Sequence, residues 1–233
     1  MHPRLRCVLF DVDGTLVSMR GAGPRAMDAA FARLTGIPQA FQGVPMAGRS
    51  DRAITEHAIR RLREAGRDLA LDEAFHRRFT AAYLEELSTE VWKAGPSVCP
   101  GVLRTLDALE RRGVVLALGT GNYAGAARIK LDRFGLWSRF AFGGFGDETA
   151  ERVEVIRRAA AEARGRCGCG SDGLLVVGDT PGDIEAARAV GAPVLSVATG
   201  PYAAEELERH HPDRLVPTLL DALDDGLWDE GRG

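Results

Sequence analysis

Lysine is nearly missing from this chain. Of its 30 basic residues only Lys93 and Lys130 are lysine, and none follows position 130. Basic charge is therefore almost all arginine. An excess of positive charge is missing too: the formal net charge of the 233 residues is −3, so there is no basic footprint for nucleic acid. No run of 18 apolar residues occurs, which excludes a membrane-spanning helix. The apolar run at residues 7–10 is cut short by Asp11 and is too short for a signal peptide. The four cysteines, Cys7, Cys99, Cys167 and Cys169, lack the paired spacing of a disulfide or zinc framework, and the five histidines show no zinc-ligand spacing. Cys167-Gly168-Cys169 reads as an incidental glycine-rich loop, and the thiols suit a reduced, cytoplasmic protein. There is no internal repeat. The length leaves room for one large domain or two small ones.

What the chain does have is concentrated at Cys7-Val8-Leu9-Phe10-Asp11-Val12-Asp13-Gly14-Thr15-Leu16. The apolar run predicts a buried strand. Side chains at i and i+2 of an extended chain point to the same side, so Asp11 and Asp13 converge at the strand's carboxyl end. Gly14 lets the chain turn there. Open α/β sheets bind ligands at that end. Two adjacent carboxylates repel each other, and a divalent cation offsets that repulsion. Mg²⁺, which takes oxygen ligands and keeps waters, suits one or two carboxylates plus a phosphate. A carboxylate can also attack phosphorus, so Asp11 is the candidate nucleophile and Asp13 the candidate general acid/base.

Residues 23–95 read as helices at 24–34, 51–65 and 72–92, the second with Asp51 as its N-cap, and without a strand pattern. From Pro96 onward helices and strands alternate. Strands are predicted at 114–118, 140–142, 174–177 and 194–197, and a weaker one near Leu215. Helices are predicted from 100 to 112, 123 to 134, 151 to 164 and 181 to 190, with a last one at the carboxyl end. This pattern predicts an α/β fold: a doubly wound, mostly parallel, Rossmann-like sheet covered on both faces. Residues 1–17 and 96–233 would form the core. Residues 18–95 would form an inserted all-α cap.

Two more constellations follow strands. Gly119-Thr120-Gly121-Asn122 precedes a helix whose N-terminal N–H groups suit an anion, with the Thr120 hydroxyl as a further donor. The spacing of Gly119, Gly121 and Gly125 departs from a dinucleotide fingerprint, and no acidic residue ends the next strand. Gly178-Asp179-Thr180-Pro181-Gly182-Asp183 combines capping-box spacing with a proline suited to the first helical turn. Capping does not explain Asp179, which stands at its strand end as Asp11 does at its own.

The string Asp-Val-Asp-Gly-Thr-Leu resembles the first motif of the haloacid dehalogenase-like superfamily, mostly Mg²⁺-dependent phosphotransferases. Thr120 at the end of the second strand is similar to the family's second motif, and Gly-Asp-x-x-x-Asp at 178–183 to its fourth. The resemblance implies Mg²⁺ held by Asp11, the Asp13 carbonyl and Asp179, with Asp183 behind them or bridged through water. It implies a phosphoryl group held by Thr120, Gly121 and Asn122. The third motif usually supplies a lysine near a helix start. Both lysines lie outside that window, and Arg152 is the substitute, with Arg157 and Arg158 behind it; arginine keeps the charge and can fork onto phosphate. The insertion falls where the family carries its helical cap, and phosphoglycolate phosphatase-like members are nearest in layout. In the cap, Ala47-Gly48-Arg49-Ser50-Asp51 resembles a loop that faces the site, making Arg49 a candidate specificity residue. The implied function is a phosphatase acting on a small phosphorylated metabolite, with no nucleic-acid or membrane partner. A β-phosphoglucomutase-like phosphotransferase, a hydrolytic dehalogenase and a phospho-accepting regulatory domain remain as alternatives.

Overall fold

The computed structural model describes residues 5–93 and 95–224. Six short parallel strands form one sheet: β1 (Cys7–Phe10), β4 (Val115–Gly119), β5 (Gly143–Gly144), β6 (Leu174–Gly178), β7 (Val194–Val197) and β8 (Arg214–Val216). Their spatial order is β5-β4-β1-β6-β7-β8. The chain thus builds outward from β1 on one side and returns to build on the other. The carboxyl end of β1 lies at that reversal, where an open sheet leaves a crevice for ligands. Two further strands, β2 (Val17–Ser18) and β3 (Ser97–Val98), pair antiparallel away from the sheet.

Between β2 and β3 run α1 (Ala22–Thr35), α2 (Asp51–Glu64) and α3 (Glu73–Glu90). After β3 come α4 (Val102–Arg111), α5 (Ala124–Asp132), α6 (Arg152–Cys167), α7 (Pro181–Ala189), α8 (Ala204–Glu208) and α9 (Leu219–Asp224). Strand alternation sorts the core. Val8, Phe10, Leu116, Leu118 and Val177 face one side of the sheet, and Cys7, Leu9, Ala117 and Val176 the other. The second side packs on Ile156, Ala159 and Ala160 of α6 and on Ile184 and Ala187 of α7. The first belongs to a buried cluster that continues without a break into Phe31 of α1 and Phe79, Tyr83 and Leu87 of α3.

The structure corrects two expectations about these elements. The strand expected at 140–142 is displaced to the two glycines of β5. Residues 140–142 form a connection whose backbone still bonds to β4, through Ala141 N–H to Leu116 and Phe142 C=O to Leu118. Among the described residues, 23–95 hold no strand, as expected; the β2–β3 pair lies just outside those bounds, in two-residue strands too short to show alternation. The N-cap of α2 is Ser50, whose hydroxyl accepts the Ala53 N–H at 3.1 Å, and Asp51 is the first helical residue. The four cysteines are free thiols, and the Cys169 thiol donates to the Ala163 carbonyl at 3.6 Å. Among the described residues no helix is long and apolar enough to cross a membrane.

Candidate active site

The carboxyl ends of β1, β4 and β6 open into a cavity of about 550 Å³ closed on the other side by α1–α3 and the turn before α2. Asp11, Asp13, Gly121, Asn122, Arg152 and Asp179 line it from the sheet. The chain leaves β1 through a turn at Gly14, where φ is +82°, a value that glycine adopts without strain. That turn carries Asp11 and Asp13 into the crevice with different surroundings.

Asp11 is buried. Its Oδ1 lies 2.9 Å from Arg152 Nη2, yet makes no hydrogen bond. The same guanidinium nitrogen donates to Asp183 Oδ1. The other oxygen of Asp183 accepts the Thr180 N–H at 3.1 Å and the Thr180 hydroxyl at 2.7 Å, which fixes the start of α7 as the sequence anticipates. Asp179, at the end of β6, accepts a hydrogen bond of 2.7 Å from the Thr15 hydroxyl. One oxygen each from Asp11, Asp179 and Asp183 falls within 4.8 Å of the others, and all three residues are buried. Burial, and then repulsion from Asp11 and Asp183, pushes the Asp179 carboxyl well above its ordinary range. Burial raises Asp11 as well, against the pull of Arg152. Three buried carboxylates beside one guanidinium, with a buried oxygen lacking a hydrogen bond, fit a hard cation that takes oxygen donors.

Asp13 turns the other way. Its side chain is 42% exposed, and its Oδ2 takes Lys130 Nζ at 2.5 Å and Asn122 Nδ2 at 2.9 Å. Lys130, which the sequence places outside the third-motif window and does not mark as a site residue, lines the cavity beside Asp13. It arrives from α5, on the buried stripe with Ala126, Ala127 and Leu131. The signal was present: a lysine in a nearly lysine-free chain, at helical spacing from buried alanines. Burial opposes its charge, and Asp13 and Asp51 more than reverse the effect, so its pKa is raised.

The other anticipated residues fall as follows. Thr120 ends β4 fully buried; its hydroxyl oxygen accepts the Asn122 N–H at 3.3 Å and the Asn122 amide at 2.9 Å, leaving its own proton free to donate. The Asn122 side chain is committed to Asp13, Thr120 and Lys130. Gly121 packs against the turn before α2: a Cβ there would lie 2.5 Å from the Arg49 carbonyl oxygen and 2.8 Å from Ser50 Cα. Arg49 stands on the cavity wall, 3.4 Å from His57 Nδ1. Arg152 occupies the first turn of α6 and reaches the carboxylates, whereas Arg157 and Arg158 pair with Glu154 and Glu148 on the exposed surface. Asp51 ties the start of α2 to the loop between β4 and α5. Its carboxylate accepts the Tyr123 N–H at 2.9 Å, its own N–H donates to the Gly121 carbonyl at 2.8 Å, and burial pushes its pKa up to about 7.

The model of the haloacid dehalogenase-like hydrolases matches residues 5–191. The chain belongs to that family. A phosphoglycolate phosphatase of Rhodospirillum rubrum is 32% identical over 208 residues, covering 86% of this chain and 82% of its own. A phosphoglycolate phosphatase of Mesorhizobium japonicum is 28% identical over 230 residues, covering 93% and 92%. Among solved structures, a predicted phosphoglycolate phosphatase from Haemophilus somnus superposes with a TM-score of 0.72 at 22% identity, covering 95% of this chain and 97% of its own, which supports the fold. The chain is thus an enzyme, a haloacid dehalogenase-like hydrolase of the phosphatase kind. Its cluster of Asp11, Asp179 and Asp183 corresponds to the divalent-metal requirement general in such phosphatases.

Proposed function

We propose that the protein hydrolyses a small phosphate monoester through an aspartyl-phosphate on Asp11, with Mg²⁺ as its metal. The observation that carries this reading is the division of labour between two carboxylates two residues apart. Asp11 is buried against Arg152, while Asp13 is half open to the cavity and held by Lys130 and Asn122. An Asp11 oxygen attacks phosphorus as the bond to the leaving oxygen breaks, and Asp13 gives that oxygen its proton. Asp13 then takes a proton from water as the water oxygen attacks phosphorus. The bond to Asp11 breaks, and inorganic phosphate leaves. Asp11, the Asp13 carbonyl and Asp179 would hold Mg²⁺, with Asp183 behind them, and the ion would supply charge neutralisation between carboxylates and phosphate. Arg152 and the Thr120 hydroxyl would hold the phosphoryl oxygens, with the Gly121–Asn122 turn beside them. Residues 18–95 act as the cap over the site, with Arg49 placed to meet an anionic leaving group.

The relatives' names favour phosphoglycolate as the first ester to test. The cavity leaves room beyond it, between Met19, Met27, Met46 and Ile54. Phosphate release is measured over a panel of phosphorylated metabolites, phosphoglycolate included, with Mg²⁺ and with excess chelator. Release is expected with the metal alone, and net release separates a phosphatase from a mutase-like transferase. Intact-mass analysis should find a hydroxylamine-labile phosphoryl adduct in the wild type and none in Asp11→Asn. Full activity in chelator, or an adduct in Asp11→Asn, would overturn the proposal.

A further inference from the structure

One buried cation is left over once Arg152 is assigned to Asp11. Lys130 is 3% exposed, and burying an ammonium costs several kcal/mol unless the site supplies partners. It has them: Asp13 Oδ2 at 2.5 Å, Asn122 Oδ1, and the charge of Asp51. The geometry is selective. An ammonium only donates, so the Asn122 carbonyl oxygen must face Lys130, and the amide NH₂ must therefore face away from it. That NH₂ meets Asp13 Oδ2 and the Thr120 hydroxyl, each at 2.9 Å. Both protein donors to Asp13 thus engage a single oxygen. Among the described residues nothing donates to Asp13 Oδ1, which is the oxygen left for a proton in transit. α1 and α3 also come close to the lysine end. A Cβ on Gly23 of α1 would lie 3.8 Å from the lysine nitrogen and 3.6 Å from the Tyr83 hydroxyl, so the helices of residues 22–90 close over it.

We propose that Lys130 is a positioning residue for proton transfer: it locks Asp13 by Oδ2, directly and through Asn122, so that Oδ1 alone faces the leaving group. The inference rests on the reading of Asp13 as acid/base, and it divides between two side chains a cationic role that the family's third motif gives to one. Arg152 serves the nucleophile, and Lys130 serves the proton carrier.

The test uses the full-length protein with Mg²⁺ and two aryl phosphates of similar shape but different leaving groups. Dinitrophenolate leaves with little protonation, whereas phenolate needs an acid. In Lys130→Met, first-turnover release from phenyl phosphate should fall about 10²-fold, the low end of general acid catalysis, while release from dinitrophenyl phosphate should fall less than about tenfold. Lys130→Gln, which keeps a donor without the charge, should fall between the wild type and Lys130→Met on phenyl phosphate, and it carries the test if Lys130→Met does not fold. An equal loss on both esters, or no loss on either, would overturn the inference, because a purely structural lysine does not distinguish leaving groups. A wild type that forms no adduct on Asp11 would instead overturn the reading of the site beneath it.

Discussion

At the scale of single residues, Arg152 carries the heaviest electrostatic duty in the site. One of its nitrogens spans Asp11 and Asp183, and burial of all three magnifies what that contact is worth. Arg152→Ala should lower kcat/KM by about 10²–10³, the scale for losing one preorganised donor at the transition state. Arg152→Lys should restore part of the loss, because the charge returns and the planar fork does not. Steady-state kinetics on the best ester of the panel checks both. Asp11 and Asp13 were legible in the sequence because a local rule places them, an i, i+2 pair at a strand end, whereas Arg152 was singled out only by the family resemblance and its missing third-motif lysine. Lys130 left only a faint trace, its rarity and its helical spacing from small residues, because its reach into the site depends on how α5 packs against α3, which no local pattern encodes. Gly121 was legible as a point of close approach, but what approaches it is the backbone of Arg49 and Ser50.

At the scale of elements, the amino end of α2 is a hydrogen-bonded contact between the helices of residues 22–90 and the loops at the sheet's carboxyl edge. Ser50 and Asp51 bond to Ala150, Gly121 and Tyr123, so two loops at the carboxyl edge of the sheet are gripped by one helix start. Gly121→Ala would drive a methyl group into that grip against two backbone atoms, which cannot swing aside as a side-chain tip would. The expected outcome is a kcat/KM reduced by about 10- to 10²-fold, the scale of an ångström-level misplacement, with a lower Tm. Kinetics and thermal melts of the variant check this. The alternation of helix and strand was readable over most of the chain because α6, α7 and the longer strands keep their periods. β5 escaped because two glycines carry no hydrophobic signal, while neighbouring Phe140 and Phe142 carry one without being a strand.

At the scale of the whole molecule, the pH dependence of stability follows from carboxyls whose pKa burial raises. Asp11, Asp179 and Asp51, the last at about 7, bind protons more tightly in the folded chain than in the unfolded one. Their contribution to stability is therefore complete below about pH 4 and is lost as pH rises through the folded values. On the proposed reading, Mg²⁺ held at Asp11 and Asp179 would displace those protons and offset the repulsion, so its stabilising effect should grow as pH rises. With the metal at about a hundred times its Kd, Tm should rise by roughly 5–10 °C near pH 8, and by much less near pH 5. Melting curves with Mg²⁺ and with chelator at both values check this. An equal shift at the two would point to a metal site away from these carboxylates.

The small β2–β3 ladder has a consequence at this scale. The chain passes from sheet to helical insertion and back, and the two passages are hydrogen-bonded to each other, Val17 to Val98 and Ser18 to Ser97, with the Cys99 N–H donating to the Leu16 carbonyl at 3.0 Å beside them. Two single-stranded tethers would swivel independently. Zipped together, they form one ribbon that bends in one direction. Covalent continuity around the insertion then becomes dispensable: a cut in the exposed stretch between α2 and α3 leaves the upstream piece anchored by β1 and the downstream piece by β3. Fragments cut there are expected to stay together along the ribbon and to elute as one species after limited proteolysis.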